Sequence, residues 1–338
     1  MDKTEPYESF DKENKSGFNN LDNISVQKKC PCTFGQLLAI FVPISLAIII
    51  AILLIVLNKS DEEKIPKEAN DGFDKSDKLE EFDEFDEYKE SYNYATLTPK
   101  GGYNNIYIHL GGISETADKY LNFFKSNRTI IPAKTKLYFL TGNARVMKYL
   151  EDYYNYSQPV PAWFNVDSDG NLICGKEICT NFSESKASLN YILDKIDEIA
   201  LKEKMDYEKI YLGGFSQGGI MTCNTLLNSR HKLGGYLIFS GYIFDEHFPP
   251  TKVEVKSYSE LTEEQKQILE SKKDYHIIAT HSFDDSRVFY NRAIEMYYTY
   301  FRYYTDFRIY SFGNLDHYFE EQPVLPLVRT WLKESMGK

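Results

Sequence analysis

Gly214-Phe215-Ser216-Gln217-Gly218 is the stretch that decides how this chain folds. Before it, Lys209-Ile210-Tyr211-Leu212-Gly213 has the composition of a short buried strand. After it, residues 219–227 have that of a helix, with apolar Ile220, Met221, Leu226 and Leu227. A serine on so tight a strand-to-helix turn has its hydroxyl pushed out of the sheet, and small neighbours let the backbone make the turn. Glycine and serine are common, so the bare G-x-S-x-G pattern says little. Its content comes from the strand, the helix and the partners downstream.

A serine hydroxyl is a poor nucleophile near neutral pH and needs a general base, usually histidine, oriented by a carboxylate. In α/β-hydrolase sheets the order along the chain is Ser, then Asp or Glu, then His. The histidines beyond Ser216 are His231, His247, His276, His281 and His317. His231 falls in a helix exit loop, and His247 precedes Pro249-Pro250. His276 opens an apolar strand, residues 276–280, that runs into His281-Ser282-Phe283-Asp284-Asp285. A later strand, residues 307–312, runs into Gly313-Asn314-Leu315-Asp316-His317. Carboxylate and histidine therefore follow strands at their carboxyl ends, the edge where open α/β sheets place ligands. With the acid at Asp284 or Asp285, His317 is the histidine left downstream. An Asp just after a strand also serves as a turn or cap residue, a role that suits Asp284 better than Asp285. His281 is expected to hold the acid loop by a hydrogen bond.

Leu212-Gly213-Gly214-Phe215-Ser216-Gln217-Gly218-Gly219 resembles the nucleophile segment of the acyl-protein thioesterases, within the phospholipase/carboxylesterase family of α/β hydrolases. Other pieces fall in the same order. Ile106-Tyr107-Ile108-His109-Leu110-Gly111-Gly112 resembles the first-strand segment, usually His-Gly-Leu-Gly-Asp, and Ala162-Trp163-Phe164-Asn165 resembles Ser-Trp-Phe-Asp. Residues 281–288 resemble His-Gly-Asp-x-Asp-x-x-Val, which selects Asp285 as the acid, and residues 310–317 resemble the segment carrying the histidine. The resemblance runs from about residue 104 to 334. It implies a mostly parallel twisted sheet with helices on both faces, and a triad of Ser216, Asp285 and His317. Backbone oxyanion donors would map to Gly111 and Gln217, with Trp163 and Phe164 as candidate acyl-pocket residues, although Trp163 suits a core position equally well. Neither cofactor nor metal is implied. Two departures stand out: Leu110 and Ile113 replace the family's Gly and Asp in the first segment, and Ser282 replaces Gly in the acid loop. Loss of one oxyanion donor typically costs about 3–4 kcal/mol of transition-state stabilisation.

The amino-terminal third has a different character. No charged residue occurs from Thr33 to Leu57, and residues 34–57 are long enough to cross a hydrocarbon core about 30 Å thick as a helix. A soluble helix of that length would show a polar face. A cleaved signal peptide would have a shorter apolar run nearer the terminus. We expect a single-pass anchor, preceded by a disordered tail (1–33) and followed by an acidic linker (58–95) and an α/β-hydrolase domain (96–338). Between Asp61 and Ser91, 14 acidic residues face 5 lysines, a net −9 of the chain's −11. The acidity belongs to the linker and says little about substrate. Lysines flank the apolar run on both sides, so charge does not orient it. A long uncleaved apolar segment after a short tail most often translocates the chain on its carboxyl side, which favours a type II arrangement with the domain lumenal or extracellular. Asn127-Arg128-Thr129, Asn155-Tyr156-Ser157 and Asn181-Phe182-Ser183 match the glycosylation acceptor pattern. Cys174 and Cys179 are spaced to close a small disulfide loop, leaving Cys223 free. Cys30-Pro31-Cys32 suits S-acylation or plain thiols.

Within the domain, residues 183–204 form an amphipathic helix capped by Ser183 or Ser185, with Leu189, Ile192, Leu193, Ile196 and Ile199 as its buried stripe. Residues 261–273 read as a charged helical insertion, and residues 297–304 as the packing face of a helix. The chain has no P-loop, dinucleotide fingerprint or basic patch for nucleic acid. The expected partners are an acyl-ester or acyl-thioester substrate, lipid or lipidated protein, and the membrane. A serine peptidase and an inactive hydrolase-fold scaffold are the rival classes.

Overall fold

Strands β1 (Phe85–Ser91), β2 (Tyr94–Pro99), β3 (Asn105–Leu110), β4 (Thr135–Leu140), β5 (Ile210–Phe215), β6 (Gly235–Phe239), β7 (His276–Ser282) and β8 (Asp306–Phe312) build one twisted sheet. This is a computed structural model. It describes residues 84–337 apart from 92, 168–172, 175–176, 179–181, 244–257, 302–303, 305 and 320–322. The sheet order is β1-β2-β4-β3-β5-β6-β7-β8. β1 and β2 are antiparallel to their neighbours, and the rest are parallel. The inner strands are buried on both faces, which is why Ile-Tyr-Leu and Gly-Tyr-Leu-Ile-Phe runs replace polar alternation there.

Alternate residues of each strand feed two cores. On one face Ile106, Ile108, Leu212, Ile238 and Ile277 meet α3 (Ser183–Glu203), α4 (Gln217–Asn228) and α6 (Tyr290–Tyr300). On the other, Tyr107, Phe139, Tyr211, Leu237 and Ile278 meet α1 (Ala117–Ser126) and α7 (Leu325–Met336). Each fully buried large apolar side chain stabilises the fold by about 1.5–3 kcal/mol. The expected α3 stripe is buried except for Leu193, which is half-buried. Neither expected serine caps α3: Phe182 holds the cap position, and the Ser185 hydroxyl donates to the Phe182 carbonyl at 3.0 Å. The charged insertion contains α5 (Glu263–Glu270), opened by a reciprocal pair in which Gln265 N–H donates to Thr262 Oγ1 and Thr262 N–H to Gln265 Oε1. A short helix, α2 (Lys148–Tyr154), was not expected. The side-chain oxygen of Asn165 accepts its first N–H at 2.9 Å.

The chain leaves β3 through α1 to β4 on one side, then returns through α3 to β5 on the other. That reversal opens a crevice at the carboxyl ends of β3 and β5. The domain also begins earlier than the expected boundary at 96. Residues 85–91 pair with β2 as the sheet's outer strand, a charged and exposed edge on which Glu87 and Lys89 pair with Lys125 and Asp118 of α1. The tail, the apolar run 34–57, most of the acidic linker, the Cys174/Cys179 pairing and the Asn181 triplet lie outside the described residues. Among the described residues, no helix is long and apolar enough to cross a membrane.

Candidate active site

Ser216 sits between β5 and α4 with φ 55° and ψ −119°, a conformation costing about 1–3 kcal/mol for a side-chain-bearing residue. The motif's glycines make it feasible. A Cβ at Gly218 would overlap the Leu110 carbonyl, and one at Gly214 would overlap the Gly218 backbone. The turn is held by Ser216 N–H donating to the Phe239 carbonyl at 2.9 Å. Strain, glycines and buried helix together present the hydroxyl in the crevice.

Asp285 reaches it from the end of β7 and His317 from the end of β8. The Ser216 hydroxyl lies 2.8 Å from His317 Nε2, and His317 Nδ1 lies 2.7 Å from Asp285 Oδ2. A carboxylate only accepts, so Nδ1 carries the proton and Nε2 is left to accept from the serine. Asp285 has a fully buried side chain, and its Oδ1 accepts the Arg287 and Val288 N–H groups at 2.9 and 2.7 Å. His281 backs this loop as expected, with Nε2 donating to the Val288 carbonyl at 2.7 Å and lying 3.4 Å from Asp285 Oδ2. Its burial holds its pKa below the usual histidine range. Asp284 is exposed and accepts from the Ser282 hydroxyl, so of the two acids only Asp285 faces the histidine. The same bond accounts for the serine that replaces glycine at 282.

Asp316 is the member that sequence reading missed. Its Oδ1 accepts the Ser286 N–H at 2.7 Å and ties the histidine loop to the acid loop. That bond keeps its carboxyl below the usual range. Its only sequence signal was its place beside His317. The other described histidines fall elsewhere; His247 lies outside the described residues. His231 stacks on Tyr207 at 3.8 Å, and His276 meets Asp306 at 2.8 Å on the opposite edge. His109 is buried among Tyr120, Phe124 and Phe319.

Both glycine N–H groups of the first segment are hydrogen-bonded in the structure. Gly111 N–H is occupied, donating to the Leu140 carbonyl at 2.9 Å as a continuation of the sheet. Gly112 instead lines the crevice, so close that a Cβ on it would come within 3.2 Å of the Ser216 Cβ. Its N–H donates at 2.7 Å to Glu115 Oε2, which also accepts from Tyr120, while Lys119 pairs with Oε1 at 2.6 Å. Gln217 is the first residue of α4, where a backbone N–H has no acceptor within the helix. Its side chain spans the 163–164 backbone, accepting from Trp163 N–H at 2.8 Å and donating to the Phe164 carbonyl at 2.7 Å.

The two pocket candidates separate. Trp163 is 1% exposed and donates its indole N–H to the Gly111 carbonyl at 2.8 Å, latching the segment after β3 from the core side. Phe164 lines the crevice, a cavity of about 460 Å³. Leu150, Phe164, Val166, Ile220 and Val288 give it apolar walls; Glu115, Lys119 and Arg287 stand on its polar side.

A strained serine between strand and buried helix, a carboxylate after β7, a histidine after β8, and this sheet order define an α/β hydrolase. The model of the Phospholipase/Carboxylesterase family matches residues 105–285, and the chain belongs to that family. Acyl-protein thioesterase 1 of Eremothecium gossypii is 35% identical over 88 residues, covering 26% of this chain and 34% of that protein. Acyl-protein thioesterase 1 of Emericella nidulans is 30% identical over 111 residues, covering 29% and 45%. The chain thus spans less than half the length of these relatives. Zea mays acyl-protein thioesterase 2 has a TM-score of 0.51 at 16% identity, covering 73% of this chain and 100% of that one. Esterase PE8 has a TM-score of 0.52 at 15% identity, covering 71% and 96%. At these identities the likeness is one of fold.

Proposed function

We propose that this domain is a serine hydrolase of carboxylic acyl esters or thioesters, held at a membrane by residues 34–57 in a type II arrangement. The observation that carries the reaction is the 2.8 and 2.7 Å relay from Ser216 through His317 to Asp285. As the Ser216 oxygen attacks the acyl carbon, its proton passes to His317 Nε2, and Asp285 stabilises the imidazolium that forms. The developing oxyanion is stabilised by the N–H groups of Gln217 and of Gly112, the latter once Glu115 turns aside. His317 then returns the proton to the leaving alcohol or thiol. Water, deprotonated by the same histidine, releases the acid from the acyl-enzyme.

The apolar crevice walls favour an acyl chain over a charged peptide, and the relatives' names favour an ester or thioester. A bilayer tether would raise the effective concentration of lipid-borne substrate. The exposed Asn127 and Asn155 leave two acceptor triplets accessible on a translocated domain. A second reading, a weakly active binding protein on a hydrolase fold, is favoured by the Glu115 carboxylate on the Gly112 N–H.

Fluorophosphonate labelling of the full chain beside its Ser216→Ala variant separates the two. Labelling lost in the variant, followed by turnover of p-nitrophenyl and thioester acyl substrates, is the expected result. A folded chain that labels no better than the variant overturns the enzyme reading.

A further inference from the structure

The crevice opens onto a face set with exposed aromatic rings. Phe283, Phe289, Tyr318, Tyr153 and Tyr154 are each between 53% and 66% exposed. Phe283 lies two residues before Asp285, Phe289 four after it, and Tyr318 follows His317. Tyr154 and Tyr318 line the mouth itself. Arg287 joins the two sides of the rim, its guanidinium donating to the hydroxyls of Tyr149 (2.5 Å) and Tyr154 and lying 5.7 Å from the Tyr154 ring. Phe283 stands edge-on to Tyr290 at 4.9 Å. Leaving so many large rings in water forfeits burial energy, and clustered exposed apolar surface around a cleft marks a docking face.

We propose that this rim docks on a zwitterionic lipid surface, so that the crevice opens directly into the headgroup layer. The assignment deepens, and rests on, the reading of a membrane-held acyl hydrolase. Three observations select lipid. Only 26 residues separate the apolar run from Glu84, the first described residue, so Glu84 can stand no more than about 90 Å from any bilayer that holds the run. Tyrosine suits the water–hydrocarbon boundary, where its ring is buried while its hydroxyl stays wet, and phenylalanine adds apolar area to insert. The charges beside the rings are mixed: Asp284, Asp316 and Asp152 stand near Arg287 and Lys148, so the face does not select an anionic leaflet.

The native tryptophans, Trp163 and Trp331, are buried, so a tryptophan placed on the rim reports separately. The full chain carrying Phe289→Trp is reconstituted in vesicles of phosphatidylcholine with brominated acyl chains, and its emission is compared with that in unbrominated vesicles. Leu201→Trp, on the exposed carboxyl-terminal end of α3 at the opposite sheet edge, is the control. We expect bromine to remove about half or more of the Phe289→Trp contribution and to leave Leu201→Trp unchanged. The quenching is expected to persist at salt concentrations where the Debye length falls to about 3 Å, and to disappear when Phe283→Asp is added. No quenching at position 289, or equal quenching at both positions, overturns the proposal and leaves the face to a protein partner. The readout needs no catalysis. Repeated in a Ser216→Ala background it gives the same answer, so failure of the hydrolase reading and failure of the docking reading are told apart.

Discussion

Replacing His109 by glutamine is expected to remove a pH dependence from the stability of the domain. The first-segment histidine lies in the core: Tyr107 donates its hydroxyl to Nδ1 at 2.9 Å, and the Tyr120 ring centroid is 4.1 Å away. Burial pushes its pKa down to about 3, aided by the charge of Lys119. Above pH 6.5 the histidine is neutral in both folded and unfolded chains and costs nothing. Below it the unfolded chain takes up a proton that the folded chain refuses until about pH 3, so stability falls as pH falls. The slope is about 1.4 kcal/mol per pH unit, or about 2 kcal/mol between pH 6.5 and 5. Glutamine retains an acceptor for Tyr107 and does not titrate. Urea unfolding followed by the fluorescence of Trp163 and Trp331 at pH 7.5 and 5 measures both proteins. His281, also held low by burial, adds a slope of the same sign to each and cancels in the comparison. The variant is expected to start less stable and to lose about 2 kcal/mol less on acidification. Parallel losses in the two proteins would refute the reasoning.

Asp285→Asn is expected to lower kcat on p-nitrophenyl esters about 10³–10⁴-fold with little change in KM, because His317 loses the partner that fixes its tautomer. Glu115→Gln removes a negative charge from beside the proposed oxyanion position. Since that charge is already paired with Lys119, a gain in kcat of several-fold to about tenfold is expected, and an unchanged or lower kcat would exclude Gly112 as a donor. Gly218→Ala puts a methyl against the Leu110 carbonyl and is expected to cost about 2 kcal/mol or more in urea stability together with most fluorophosphonate labelling. Glu203→Ala leaves the half-buried Lys136 ammonium without its 2.9 Å partner and strips Tyr103 and Tyr138 of an acceptor. It is expected to lose about 3 kcal/mol in unfolding experiments, with labelling of the residual folded protein intact.

The turn around Ser216 was legible because everything that makes it is local: a strand, two glycines with no room for a Cβ, and a helix, all between residues 210 and 228. The placement of Asp285 and His317 on one edge was legible for a related reason, since parallel strands all end on the same side. Choosing between Asp284 and Asp285 needed the family resemblance, and the structure then brought only Asp285 to His317. The amphipathic period of α3 marked its buried face, while its cap escaped because Phe182 takes a left-handed conformation that no cap signal announces. What the tertiary structure decided depends on partners far apart in the chain. Leu140 of the neighbouring β4 takes the Gly111 N–H, a contact that only the tertiary structure shows. Trp163 was separated from Phe164 because its indole reaches Gly111, 52 residues away. The 85–91 strand is so acidic that it reads as linker, yet an edge strand tolerates charge because one side of it stays in water. Glu115, Asp316 and the aromatic rim became visible only once loops from separate strand ends were brought to one face. Local periodicity constrains a few neighbouring torsions; the meeting of distant loops is set by the packing of the whole sheet.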